Sequence, residues 1–246
     1  MAANVEVIEP RLFESVIADE IVAVINEVLG EHPYCAISLA GGSTPGGVYR
    51  ALARPPRLDD VEWKRVKLFL GDERWVPIDD TQSNFRMVRE TMLSLLPEPG
   101  PKAFPVDTTL ASPAESAKAY ASLLKRELAA DSQGAPHFHL VLLGVGSDGH
   151  TASLFPGDPL VADGALVAGA CKDPSGQTDR ITLGPSVLFR ADKVFFIVKG
   201  EEKAEVVRRI LEGSETVNEV PARLYADAHS EVTFFVDSGA AKHLSR

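Results

Sequence analysis

The sequence predicts an α/β protein: a Rossmann-like, doubly wound, mostly parallel sheet with helices on both faces. Two observations predict it. Short apolar runs alternate along the chain with amphipathic stretches of helical period, which is the rhythm of parallel strands joined by crossover helices. The apolar runs also end in glycines and polar residues. Leu140 to Leu143, for instance, is followed by Gly144, Gly146, Asp148, Gly149 and His150. Open α/β sheets bind their ligands outside such carboxyl ends. With 246 residues, the chain is long enough for one large α/β domain or two small ones. One domain over residues 1–246 is expected.

The elements follow in order. Phe13, Val16, Ile17, Ile21, Val24, Ile25 and Val28 recur at three- and four-residue spacing and predict a helix over 13–29, with Gly30 placed to stop it. Residues 35–40 read as a strand. A helix over 45–52 follows; Pro45 suits its first turn, and Ser43 or Thr44 can cap it. Residues 66–70 form a second strand, and 84–96 a helix closed by Pro97. The next helix, 113–128, has Ser112 as N-cap with Glu115 three residues on. Strands are expected at 140–143 and 193–198. A charged helix over 201–211 is stopped by Gly213, and a last strand spans 232–236, with a short helix after Asp237. The Pro/Gly-rich pieces 97–105 and 157–176 read as long loops, which in compact domains often cover sites. There is no internal repeat and no low-complexity tract.

Composition narrows the partners. Net charge is −10, so nucleic acid and anionic membranes are not expected as partners. An anionic substrate then needs a local basic pocket set against the global field. The start of the chain shows no basic and apolar leader pattern, and no apolar run approaches the ~18 residues of a membrane span. A cytoplasmic location is expected. The two cysteines, Cys35 and Cys171, lie in no metal or redox spacing and read as buried, reduced thiols. His137 and His139 are two apart at a strand entry and read as structural. No metal-ligand set is visible.

Five polar constellations remain. Residues 40–47 (Ala-Gly-Gly-Ser-Thr-Pro-Gly-Gly) lie between a strand and a helix. Exposed amides and two hydroxyls there make an anion site, or only a tight turn. The segment is neither a Walker loop nor a GxGxxG fingerprint. Gly71-Asp72-Glu73-Arg74-Trp75-Val76-Pro77 ends the second strand and faces solvent or a site. Asp148-Gly149-His150 supplies an acid–base pair, histidine being the side chain that titrates near neutral pH; the plainer alternative is a helix cap and a surface histidine. Asp179-Arg180-Ile181-Thr182 precedes a Gly-Pro helix start, and Lys199 to Lys203 follows the fourth strand. Arg180 and Lys203 are then cations at loop or helix-start positions. The dipole disfavours a cation at a helix start, which hints at an anion to pair with. Together these strand ends converge on one edge of a parallel sheet. They suit a small phosphorylated substrate undergoing proton transfer.

These segments, with Ser83-Asn84-Phe85-Arg86 and residues 143–156, resemble the 6-phosphogluconolactonase family. The match runs in order from about Ala40 to Val236. The resemblance implies hydrolysis of 6-phospho-D-glucono-1,5-lactone to 6-phospho-D-gluconate, the second step of the oxidative pentose phosphate pathway, without a cofactor. It implies that Gly42, Ser43, Thr44, Arg180 and Lys203 hold the sugar phosphate. It makes His150 the general base, with Asp148 beside it. Arg74 is expected to contact a substrate oxygen or the phosphate. Asp72 matches an acid used in proton abstraction by the related glucosamine-6-phosphate deaminases/isomerases. Those enzymes carry a Glu five positions after the equivalent of His150. Here that position is Phe155, which argues against deamination. A non-catalytic sugar-phosphate-binding protein is the remaining alternative, but the acidic chain offers no DNA-binding module. A monomer or a homodimer is expected.

Overall fold

The computed structural model describes residues 3–245. Ten strands and six α-helices are found among them. In chain order these are β1 (Asn4–Ile8), α1 (Phe13–Glu31), β2 (Cys35–Leu39), α2 (Ser43–Leu52), β3 (Val66–Leu70), β4 (Asp72–Arg74), α3 (Asn84–Thr91), β5 (Lys102–Phe104) and α4 (Pro113–Glu127). Then come β6 (Leu140–Leu143), β7 (Ala168–Lys172), β8 (Asp179–Leu183), α5 (Pro185–Leu188), β9 (Lys193–Val198), α6 (Ala204–Glu212) and β10 (Glu231–Asp237).

Seven strands form one sheet in the order β1-β10-β9-β6-β2-β3-β5, and every pairing in it is parallel. The alternation of side chains splits the interior into two cores. Leu140, Leu142, Phe195 and Ile197 face the core built with α1, α2 and α3. Val141, Leu143, Val194, Phe196 and Val198 face the core built with α4, α5 and α6. Both faces of each central strand are therefore apolar, as a doubly covered sheet requires. Each fully buried side chain of this kind stabilises the fold by about 1.5–3 kcal/mol.

A second sheet of three strands, β4-β8-β7, is antiparallel. Only Gly71 separates β3 from β4. Its amide donates to Leu39 O and its carbonyl accepts from Leu183 N, at 2.9 and 2.8 Å. The chain thus leaves the large sheet at the carboxyl end of β3 and carries Asp72 and Arg74 over that edge.

Several expectations are corrected. Helix α1 runs through Gly30 to Glu31, and His32 is the extended residue that ends it. His32 precedes Pro33, and a residue before proline is driven out of helical geometry; the proline, not the glycine, is the stop. Helix α2 begins at Ser43 with Gly42 as N-cap, at φ +103, so neither Ser43 nor Thr44 caps it. The helix expected over 84–96 ends at Thr91, breaks at the buried Met92 and resumes as one 3₁₀ turn. The charged helix after β9 opens as a 3₁₀ turn, Glu201–Lys203. Residues 238–243 form turns, not a helix; Asp237 Oδ1 ties them by accepting from Ala240 N and Gly200 N. The two expected loops hold the strands β5 and β7. Arg180 lies within strand β8, not in a loop.

Candidate active site

A cavity of about 720 Å³ opens at the carboxyl ends of β2, β3, β6 and β9. These are the central strands, and the chain order reverses between β2 and β6, the switch point at which such sheets bind ligands. Gly42, Ser43, Thr44, Asp72, Arg74, His150, Arg180 and Lys203 all line it. Asp148 stands behind His150 rather than on the wall.

His150 is placed by a loop with almost no slack. A Cβ on Gly146 would overlap the His150 ring, and Gly149 takes φ +92 with Val220 against it. Gly146 N donates to His150 O at 2.9 Å. Asp148 Oδ1 meets His150 Nδ1 at 2.6 Å and also accepts from His150 N at 3.1 Å. Burial alone would raise the Asp148 carboxyl, but the hydrogen bond and charge of His150 bring it below the usual carboxylate range. An ionised Asp148 accepts only, so Nδ1 carries the proton and Nε2 is the basic nitrogen. The Phe155 ring packs edge-on against His150, centroids 4.8 Å apart.

The charged triplet of β4 divides by strand alternation. Asp72 and Arg74 face the cavity; Glu73 points the other way and is 2% exposed. Its carboxylate accepts from Arg74 N, Asn84 N and Phe85 N at 2.7–2.9 Å and from Ser83 Oγ at 3.1 Å. It therefore binds the first amides of α3, where the helix dipole favours an anion. Burial outweighs these bonds and holds its carboxyl above the usual range. Asp72 is held by neutral donors: Ser153 Oγ to Oδ2 at 2.7 Å and Asn84 Nδ2 to Oδ1 at 3.2 Å. Asn84 is 2% exposed and packs where a Cβ on Gly41 would overlap its amide. One asparagine so joins the glycine turn after β2 to the acid after β3.

The cations sit in two groups. Arg74 and Arg180 are direct register partners across β4 and β8. Like charges in that position repel. Each also has a buried Nε with no hydrogen-bond partner. Arg74 Nη1 donates to Gln82 O at 2.6 Å, and Arg180 Nη2 lies 3.5 Å from Asp173 Oδ2. On the other side Lys203 Nζ donates to Val145 O at 2.9 Å, and Lys199 Nζ pairs with Glu14 Oε1 at 2.6 Å. The hydroxyls of Ser43 and Thr44 have no protein partner among the described residues, and they flank the free amides that begin α2.

The thiols are no nucleophiles. Burial pushes both Cys35 and Cys171 up to about 12, far from the thiolate that reacts.

The family model for glucosamine-6-phosphate isomerases/6-phosphogluconolactonase matches residues 9–234. The chain belongs to that family. It is 34% identical over 221 residues to a 6-phosphogluconolactonase from Synechocystis, covering 89% of each chain. To the 6-phosphogluconolactonase of Rattus norvegicus it is 37% identical over 213 residues, covering 85% of this chain and 80% of that one. The solved 6-phosphogluconolactonase of Trypanosoma brucei superposes with a TM-score of 0.85 at 31% identity, covering 99% of both chains. In this chain position 155 is Phe, packed on the His150 ring, and the acid at Nδ1 is Asp148.

Sequence reasoning missed Glu73, Asn84 and Ser153 as members of the site's framework. The signal for Asn84 lies in two separate motifs, Gly41-Gly42 and Ser83-Asn84, which only the fold brings together. Asp173 is not signalled by the sequence, because the first strand of its hairpin lies in a Pro/Gly-rich stretch that reads as loop.

Proposed function

We propose that this chain hydrolyses 6-phospho-D-glucono-1,5-lactone to 6-phospho-D-gluconate. The observation that carries the reading is the opposed Arg74–Arg180 pair, each with an orphaned buried Nε, in the same cavity as the Asp148–His150 pair. Two register-paired guanidiniums, each with a buried and unpartnered Nε, call for an anion, and guanidinium forks suit phosphate. Ser43, Thr44 and the α2 amides add neutral donors. Lys203 supplies a further positive charge on the opposite wall.

The chemistry needs little more. Water attacks the lactone carbonyl carbon while His150 Nε2 takes its proton. Asp148 fixes the tautomer and stabilises the imidazolium. The tetrahedral intermediate collapses with cleavage of the bond from the carbonyl carbon to the ring oxygen, which takes the proton back from His150. A positioned base is worth about 10²–10⁴-fold, and loop amides with Arg74 meet the developing oxyanion. Asp72, fixed by Asn84 and Ser153, accepts from sugar hydroxyls. No cofactor enters these steps. The protein acts in the cytoplasm as one domain, monomeric or homodimeric, on a small substrate. No helix among the described residues is long and apolar enough to cross a membrane.

The test is consumption of freshly generated 6-phosphogluconolactone, corrected for spontaneous hydrolysis, beside ammonia release from glucosamine 6-phosphate. Lactone loss well above background without ammonia is expected. Ammonia release with no lactone hydrolysis would overturn the reading.

A further inference from the structure

Asp173 is an acid in a place where the proposed chemistry asks for none. It lies at the end of β7, where the hairpin to β8 turns over the cavity, and it lines that cavity with Arg180. Its two oxygens do different things. Oδ1 closes the turn by accepting from Ser175 Oγ at 2.7 Å and Gln177 N at 3.1 Å, with Gly176 at φ +70. Oδ2 faces Arg180 Nη2 at 3.5 Å, and the two side chains are only 12% and 16% exposed. The Ser175 hydroxyl bond, with further help from the Gln177 and Thr178 amides and Arg180, outweighs burial and lowers the carboxyl to about 2. It is therefore ionised throughout the neutral range.

We infer that Asp173 is a specificity-determining counter-charge, a carboxylate that competes with the phosphate of the ligand for Arg180 and keeps phosphorylated ligands from binding too tightly. The inference rests on the reading that Arg74 and Arg180 receive the phosphate. A separation of 3.5 Å through one oxygen is longer than the ~2.7–2.9 Å of a full charge-assisted bond. Asp173 so offsets part of the Arg180 charge without using up its donors, and Arg180 Nε stays unpaired. A phosphate that reaches the guanidinium also comes close to Asp173 Oδ2. In a partly buried site that repulsion is several times what it would be in water. The product gains a carboxylate that the lactone lacks, so it carries one more negative charge than the substrate. Repulsion from Asp173 therefore acts most on product, and favours its departure. Lys172 and Asp179, the other charges of this hairpin, pair with each other at 3.2 Å and leave the Asp173–Arg180 balance to itself.

The experiment measures binding of 6-phosphogluconate and of inorganic phosphate to the wild-type protein, Asp173→Asn and Ser175→Ala by calorimetry. Asparagine keeps an oxygen for Ser175 and Gln177 and removes only the charge. Ser175→Ala loosens the turn and keeps the charge. Asp173→Asn is expected to bind 6-phosphogluconate at least ~5-fold tighter, with less gain for phosphate and a gain that shrinks as salt rises. In turnover it should lower KM and kcat together, as product release slows. Ser175→Ala should bind like wild type. Unchanged or weaker binding by Asp173→Asn, or equal tightening by Ser175→Ala, would overturn the inference while leaving the phosphate reading in place. A wild-type protein that binds neither ligand would overturn both.

Discussion

The two ends of the parallel sheet each hold an aspartate–histidine pair, and the one at the carboxyl ends lies at the large cavity, which His150 lines. At the carboxyl ends, Asp148 holds His150 Nδ1 at 2.6 Å, and Nε2 has no hydrogen-bond partner among the described residues. At the amino ends, Asp192 Oδ1 meets His137 Nε2 at 2.9 Å, and His137 Nδ1 is buried. His139 packs beside it, centroids 6.0 Å apart, among His32 and Tyr34, and its Nδ1 accepts the Ala36 amide at the start of β2. The pairs are chemically alike. What separates them is strand polarity, which sends loops with free amides and cations to one end and packed ring faces to the other. A histidine beside an acid is thus a site only where something can reach its second nitrogen.

The sharpest way to break this comparison is to remove each histidine. His150→Ala should keep its fold and bind 6-phosphogluconate, yet lose about 10²-fold or more in kcat. His137→Ala should keep kcat within about twofold, the change falling on thermal stability instead. Equal losses of kcat in both variants would end the distinction.

The arginines sharpen it next. Arg180→Ala should raise KM for the phosphorylated lactone by at least ~10-fold, the scale of one charge-assisted hydrogen bond of about 1.5–3 kcal/mol. Hydrolysis of the unphosphorylated lactone should change much less. Arg74→Lys should restore only part of what Arg74→Ala loses, because an ammonium lacks the planar fork. Parallel losses on both substrates would move the arginines from the phosphate to the sugar ring or the fold.

The smallest effect belongs to the amino end. Burial, against the charge of Asp192, lowers His139 to about 4. Unfolding returns it to its ordinary value near 6.5, so between those values the unfolded chain binds the extra proton. Stability from this group is full above pH ~6.5 and falls as pH drops toward 4. The bond from Asp192 raises His137, and its contribution has the opposite sign, being full below pH ~6.5 and lost as pH rises. His139→Asn keeps an acceptor for the Ala36 amide and does not titrate. Its melting temperature should fall less steeply from pH 6.5 to 4 than that of wild type, with kcat at pH 7 unchanged. An identical slope would remove His139 from the acid limb.

Much of this was legible in the chain, and the gaps have physical causes. Strands β2, β3, β6, β9 and β10 announce themselves because burial on both faces demands mostly apolar runs, interrupted only by single residues such as Ser38, Lys67 and Thr233. Strands β4 and β8 do not. Asp72–Arg74 and Asp179–Leu183 are short and polar, and nothing local says that they pair across more than a hundred residues. The opposition of Arg74 and Arg180 is a fact of register, which no single segment encodes. Glu73 was hidden for a related reason. A run of three charges reads as solvated until strand alternation turns the middle one inward onto α3. His150 was readable because the glycines that place it lie beside it in sequence.

One sample reads both ends at once. Histidine side chains labelled with ¹⁵N can be followed by NMR while 6-phosphogluconate is added to the wild-type protein. The account predicts a saturable shift of the His150 ring resonances, with those of His32, His137 and His139 unmoved. A shift at the amino-end histidines with His150 unchanged would contradict it.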